Sequence, residues 1–184
     1  MWELPFHDFR ELNSERVHLR KLDLNKDVAS IYKIRSNPDV LKYIDRDPPT
    51  NESEIVDFIN LINSGFETSE NISWGITLKG NDTVIGIMGY WRITKEHHRG
   101  EIGYTLHPDY WRKGIMDETM KLVLPFAFKE MKLHSIEANI NPENDRSRQL
   151  LLRNGFVKEA YFRENYYAKG KFLDSEIYSQ LNDK

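Results

Sequence analysis

The sequence predicts a mixed α/β (α+β) fold, a mostly antiparallel sheet with helices on both faces. Three observations predict it. Residues 73–107 alternate apolar and polar positions between short turns, the pattern of a β-meander. Ahead of them lie two stretches with apolar residues three to four apart. Behind them, residues 101–140 read strand, helix, strand.

The elements follow in order. Arg16–Leu22 (RVHLRKL) sets Val17, Leu19 and Lys21 against His18, Arg20 and Leu22, a strand period. Asp23 precedes a helix carrying Val28, Ile31, Tyr32 and Ile34, which Asn37-Pro38 ends because proline disfavours the helical region in the residue before it. After the turn at Asp47–Thr50, Thr50 or Asn51 caps a second helix with Ile55, Phe58, Ile59 and Ile62 on one side and Gly65 as its stop. SWGITLK and TVIGIMGYWRI form a hairpin across Lys79–Asp82, and His97–Gly100 turns the chain into a third meander strand, EIGYTLH. A helix over 115–131 buries Ile115, Met116, Thr119, Met120, Val123 and Phe126 or Ala127, with a bend expected at Pro125. HSIEANIN is a strand, NDRSRQLLLRNGF a short helix closed by Gly155, and residues 156–167 and 171–181 are terminal strands around Lys169-Gly170. No repeat or linker interrupts residues 1–184, which read as one domain.

Composition narrows the class. Lys plus Arg number 26 and Asp plus Glu 29, a formal charge of −3 that disfavours direct nucleic-acid binding. No apolar run approaches the ~20 residues of a membrane span, and the N-terminal stretch lacks an export signal's apolar core. Cysteine is absent, which removes disulfides, thiolate nucleophiles and Cys-ligated zinc and is compatible with a cytoplasmic setting. The histidines (His7, His18, His97, His98, His107, His134) show no metal-ligand spacing, so no metal is expected.

Chemistry concentrates where EIGYTLHPDY meets WRKGIMDETM. A helix start leaves unpartnered N–H groups and a partial positive charge. Amides of Arg112, Lys113, Gly114, Ile115, Met116 and Asp117 aimed at one point would suit a pyrophosphate, with Gly114 permitting close approach and Arg112 and Lys113 adding charge. An ordinary helix entry with solvated charges is the alternative. Asn144 and Ser147 share one face of the next helix's first turn, either toward a ligand at the same sheet edge or as simple N-capping residues.

These residues carry a resemblance. SERVHLRKL, WGI, EIGYTLHPDYWRKGIM, IEANINPENDRS, LLLRNGF and GKFLDSEIYS, in order between residues 14 and 180, are similar to the GNAT N-acetyltransferases of the ribosomal-protein-alanine (RimJ/RimL-like) branch. The resemblance implies acetyl-CoA as donor and a primary amine as acceptor. It implies a sheet splayed between the fourth and fifth predicted strands, EIGYTLH and IEANIN. Pantetheine adds there like a strand, beside Thr105 and Leu106. It implies that Arg112–Asp117 hold the pyrophosphate and that Asn144 and Ser147 sit beside pantetheine and the thioester sulfur. The chain departs from the branch at Arg112, where a glycine is usual, at Asp117, whose carboxylate opposes phosphate, and at Leu151, where many superfamily members carry a tyrosine acid.

Acyl transfer to an amine needs a base, an oxyanion donor and an acid for the thiolate. Glu101 is the first candidate base, with pairing to a cross-sheet cation as its alternative, and Glu164 is the second. A backbone N–H near Leu106 serves the oxyanion, while Ser147 and Tyr166 compete as acid. An α-amine, with a pKa of ~7.8, tolerates a weaker base than a lysine at ~10.4. A protein N-terminus is therefore the leading acceptor. A small-molecule amine (polyamine or aminoglycoside), met by Asp45, Asp47 and Glu52, and a non-catalytic acyl-CoA-binding module are the alternatives. Of Trp74, Tyr90 and Trp91, an exposed one would line the acceptor cleft. A homodimer is compatible with the apolar terminal hairpin.

Overall fold

The computed structural model describes residues 4, 5 and 8–182; His7 lies outside them. Eight strands form one sheet in the order β1-β2-β3-β4-β5-β6-β8-β7. The short β1 (Leu12–Asn13), which two residues of pattern cannot announce, pairs with β2 (Val17–Arg20). Next come β3 (Ile72–Leu78), β4 (Asn81–Thr94) and β5 (Arg99–Leu106), the expected antiparallel meander. β6 (Ser135–Ile140) runs parallel to β5, and β7 (Val157–Ala168) and β8 (Lys171–Leu181) close the chain as a hairpin.

α1 (Val28–Ser36) ends as Asn37-Pro38 requires, but a further turn, α2 (Pro38–Leu41), starts there. The Asn37 side chain accepts from the amides of Asp39 and Val40 and so caps it. α3 (Ser53–Glu67) starts later than a Thr50 or Asn51 cap would have it, because those residues form a turn upstream: Asn51 Oδ1 accepts from the Ser53 amide and Thr50 donates to Glu54. Gly65 does not stop α3. It is buried inside it, and a Cβ there would lie 1.8 Å from Asn71 Nδ2, so close packing explains the glycine. The turn expected at His97–Gly100 comes two residues earlier. Lys95–His97 form a 3-10 turn, His98 takes φ 47°, and Arg99 and Gly100 already pair with Thr94 and Ile93.

α4 (Ile115–Lys129) runs through Pro125 and buries its expected stripe except Met116, which is half-buried. α5 (Asp145–Arg153) ends at Gly155 in the left-handed region. Two apolar layers sandwich the sheet. One, centred on Trp74, Met88 and Tyr90, packs with α4 and α5, and the Tyr90 hydroxyl donates to the Val123 carbonyl at 2.9 Å. The other joins α1 and α3 through Ile31, Ile34, Ile55 and Ile59 to Ile87. Arg20 and Asp27, both buried, form a bidentate pair (2.7 and 2.8 Å) that locks β2 to the start of α1, and Asp82 adds a second acceptor. Among the described residues no helix is long and apolar enough to cross a membrane, and no group of three or more His, Cys, Asp or Glu is placed to hold a metal.

Candidate active site

The fourth and fifth predicted strands, now β5 and β6, part as expected. They pair through Arg99–Ser135, Gly100–Ile136 and Glu101–Glu137 and no further, while β5 follows β4 to Leu106 and β6 follows β8 to Ile140. Register fixes which backbone groups face the gap. The His107 amide donates to Ile85 O beyond the Leu106–Gly86 pair, which makes that pair the non-bonded kind. Leu106 and Tyr104 therefore turn their N–H and C=O groups into the gap, and Thr105 turns its own toward β4. On the other wall the Asn182 amide donates to His134 O, and by the same alternation Glu137 and Asn139 face inward. The indole of Trp111 donates to the Leu106 carbonyl at 2.8 Å and leaves the Leu106 amide directed into the gap.

Beside the gap lies the turn into α4. Arg112 at φ 60° and Gly114 at φ 74° both occupy the left-handed region, and the first helical bond runs from the Glu118 amide to Gly114 O. Among the described residues, none of the backbone amides from Arg112 to Asp117 has a partner. Arg16 backs this turn: it donates to Lys113 O at 3.1 Å and is held by Glu118, which also accepts from Ser14. The Asp117 carboxylate, a liability beside phosphate, is engaged by Lys121 at 2.9 Å, Asn154 at 3.0 Å and Arg153 at 3.9 Å; the Lys121 bond leads in holding its pKa down. Six free amides, a guanidinium behind them and a neutralised carboxylate fit an anion such as a diphosphate.

Asn144 caps α5 by accepting from the Ser147 amide at 3.2 Å. The Ser147 hydroxyl, buried, lies 2.6 Å from that of Tyr104 on β5, so the start of α5 is joined to β5 at this point. Leu151 is fully buried core. Tyr104 escaped the sequence reading because strand alternation assigned it to the packed face and said nothing of what stands opposite.

Glu101 lies on the other face of β5, at the last paired rung. It lines a small cleft with Arg92, Thr94, Arg99 and Glu137. Arg92 approaches it at 3.5 Å, Arg99 bonds Glu137, and burial pushes the Glu101 carboxyl above the usual glutamate range, aided by Glu137 and opposed by both arginines. Trp91, half exposed, lays its ring over Gly103, whereas Trp74 and Tyr90 are core. Tyr166 stands elsewhere, on the terminal hairpin, and donates to Asp45 at 2.6 Å; burial and that bond raise its pKa. Glu164 is exposed at φ 48° beside it, with its amide on Asp174. The structure thus joins Ser147 to Tyr104 and Asn144, and keeps Glu101 and Tyr166 apart from that group.

A strand pair opened beside a helix start rich in free amides fits a phosphate-tailed thioester laid between the strands, the donor of an acyltransferase. Residues 16–157 match the acetyltransferase (GNAT) domain family. A Bacillus licheniformis protein known as uncharacterized N-acetyltransferase p20 is 35% identical over 170 residues, covering 92% of this chain and 95% of its own. The [ribosomal protein uS5]-alanine N-acetyltransferase of Escherichia coli is 26% identical over 117 residues, 63% of this chain and 60% of that protein. The crystal structure of a GNAT-family acetyltransferase from Bacillus anthracis superposes with a TM-score of 0.83 at 28% identity, covering 95% of this chain and all of that one. The chain belongs to the GNAT family and is an N-acetyltransferase.

Proposed function

We propose that this N-acetyltransferase moves the acetyl group of acetyl-CoA to the α-amine of a peptide or protein N-terminus. The row of unpartnered amides from Arg112 to Asp117, at the side of a sheet that opens after Glu101, carries the reading. Those amides, with Arg16, Arg112 and Lys113, hold the diphosphate. The gap-facing groups of Tyr104, Leu106 and Asn139 accompany pantetheine as a strand would. Thr105, with its backbone turned to β4, reaches the donor only by its side chain.

Acetyl-CoA supplies a thioester carbonyl. The Leu106 amide donates to the oxygen that becomes negative as the amine adds. Glu101, at the foot of the gap, takes the amine's proton through water. Ser147 passes its proton to the departing thiolate as it takes one from the adjoining Tyr104 hydroxyl, which water then restores; Asn144 fixes the helix start that carries Ser147. Tyr166, already donating to Asp45, is the second choice of acid.

An α-amine suits the site because it is partly neutral near pH 7 and asks little of a base, and burial holds the Glu101 carboxyl above the usual glutamate range. A polycation suits it less. Of the three carboxylates expected to greet one, Asp45 is engaged by Tyr166, and Arg46 follows it directly. The uS5-alanine relative supports a ribosomal-protein-like acceptor. A CoA-release assay across peptides with varied first residues, spermidine and aminoglycosides tests the reading: peptides should turn over and the polycations should not. Preference for spermidine would reverse it, and absence of saturable acetyl-CoA binding would remove it.

A further inference from the structure

Among the described residues, two arginines between the end of α1 and the start of α3 face no carboxylate. Arg35, in the last turn of α1, lays its guanidinium 3.6 Å from the centroid of the Phe58 ring. Arg46 follows α2, and its Nε and Nη2 are shut off from solvent without a hydrogen-bond partner. The other buried guanidinium is matched, Arg20 with Asp27 and Asp82. Of the two acids that flank Arg46 in sequence, Asp45 accepts instead from Tyr166 and Asp47 forms no ion pair with it. Burial lowers both pKa values, that of Arg35 to about 10, with repulsion from Arg46 contributing. A guanidinium left with buried, unmet donors is a costly resting state, since such donors forfeit their water without replacement.

Position gives the pair its meaning. Lys169, in the turn of the β7–β8 hairpin, donates to the carbonyls of Leu41 and Ile44, and Tyr166 to Asp45, so the segment carrying Arg46 is fastened to the hairpin that overhangs the open end of β6. We propose that Arg46, with Arg35 behind it, receives a carboxylate of the acceptor, so that the favoured substrate is a peptide with an acidic side chain close to its free amine. The planar fork of a guanidinium matches a carboxylate in two parallel bonds. Because Nε and Nη2 are covered in the resting chain, the Arg46 side chain turns outward on its flexible stem to make them. The inference rests on the acceptor entering at this mouth and specifies what that acceptor carries.

Calorimetric titration in the presence of CoA separates the possibilities, with the amide-capped peptides Ala-Glu-Glu-Ala and Ala-Gln-Gln-Ala as probes. The acidic peptide should bind wild type about tenfold tighter or more, in line with a charge-assisted bidentate contact, and Arg46→Met should erase the difference. Arg46→Gln replaces it should the methionine variant not fold. Dephospho-CoA addresses the other source of anion: the ratio of CoA to dephospho-CoA affinity should be the same in wild type and variant. Equal binding of the two peptides by wild type, a preference that survives in the variant, or a changed CoA ratio overturns the inference. Each does so whether or not acetyl transfer is seen, so a failed inference and a failed acceptor reading remain distinguishable.

Discussion

Burial pushes the Tyr104 hydroxyl up to about 12, against the opposing pull of Ser147, so it stays protonated at any working pH and shares a hydrogen bond with the serine hydroxyl 2.6 Å away. Tyr104→Phe should lower kcat about tenfold and leave the KM for acetyl-CoA unchanged, and Ser147→Ala should lower kcat at least as much. The double variant should be no worse than Ser147→Ala alone, because the two act as a unit. Additive losses in steady-state kinetics would separate them. Glu101 gives the second residue-scale expectation. As a base it works only when ionised, and its raised pKa moves the acid limb of the kcat profile above the ordinary glutamate range. Glu101→Gln should lower kcat about tenfold, a modest loss because an α-amine is already partly neutral, and flatten that limb, which a pH–rate series reads directly. The sign for folding is opposite: a carboxyl whose pKa rises on folding favours the native state when protonated, and that contribution fades as pH climbs past the folded value. Glu101 was legible in the sequence because it stands alone among small residues on one side of its strand. Tyr104 and Arg46 were not, since one depends on a partner 43 positions away and the other on the lack of any partner.

At the scale of elements, the turn into α4 decides donor binding. Gly114 adopts φ 74° and Arg112 φ 60°, a conformation that costs a residue with a Cβ roughly 1 kcal/mol. Arg112 accepts that strain where the resembled branch uses glycine, and so keeps a cation beside the amides. Gly114→Val should misplace those amides and raise the KM for acetyl-CoA at least about tenfold, with far-ultraviolet dichroism unchanged. Near-native affinity in that variant would show that the amides do not bind the diphosphate. Most elements could be read from pattern: the meander, α4, and the terminal hairpin at Lys169-Gly170 follow from period and turn residues. The exceptions have local causes. Gly65 reads as a terminator in one dimension, and only the approach of Asn71 reveals it as a packing position. Asn37-Pro38 stops one helix and starts another, because proline is as suitable for a first helical turn as it is unsuitable for a middle one. The parting of β5 and β6 leaves no mark in either strand's own alternation; it is a property of the pair.

For the whole molecule, the buried Arg20–Asp27 pair ties the sheet's outer strands to the helical layer over them, and Asp27 also accepts from the Asp23 amide. Asp27→Ala should destabilise the fold by about 3 kcal/mol, the scale of a buried pair broken on one side, read as a lower urea midpoint at an unchanged slope. The β7–β8 hairpin acts at the same scale. β8 runs five residues, Lys171–Ser175, past its last rung with β6 at Glu176, and the turn there is stapled by Lys169 and Tyr166 to the segment after α2. The segment after α2 and the hairpin are thereby one continuous body beside the open end of β6. On the proposed reading an acceptor that comes in past this joint leads with its tip, and the tip of a polypeptide is where its α-amine is found.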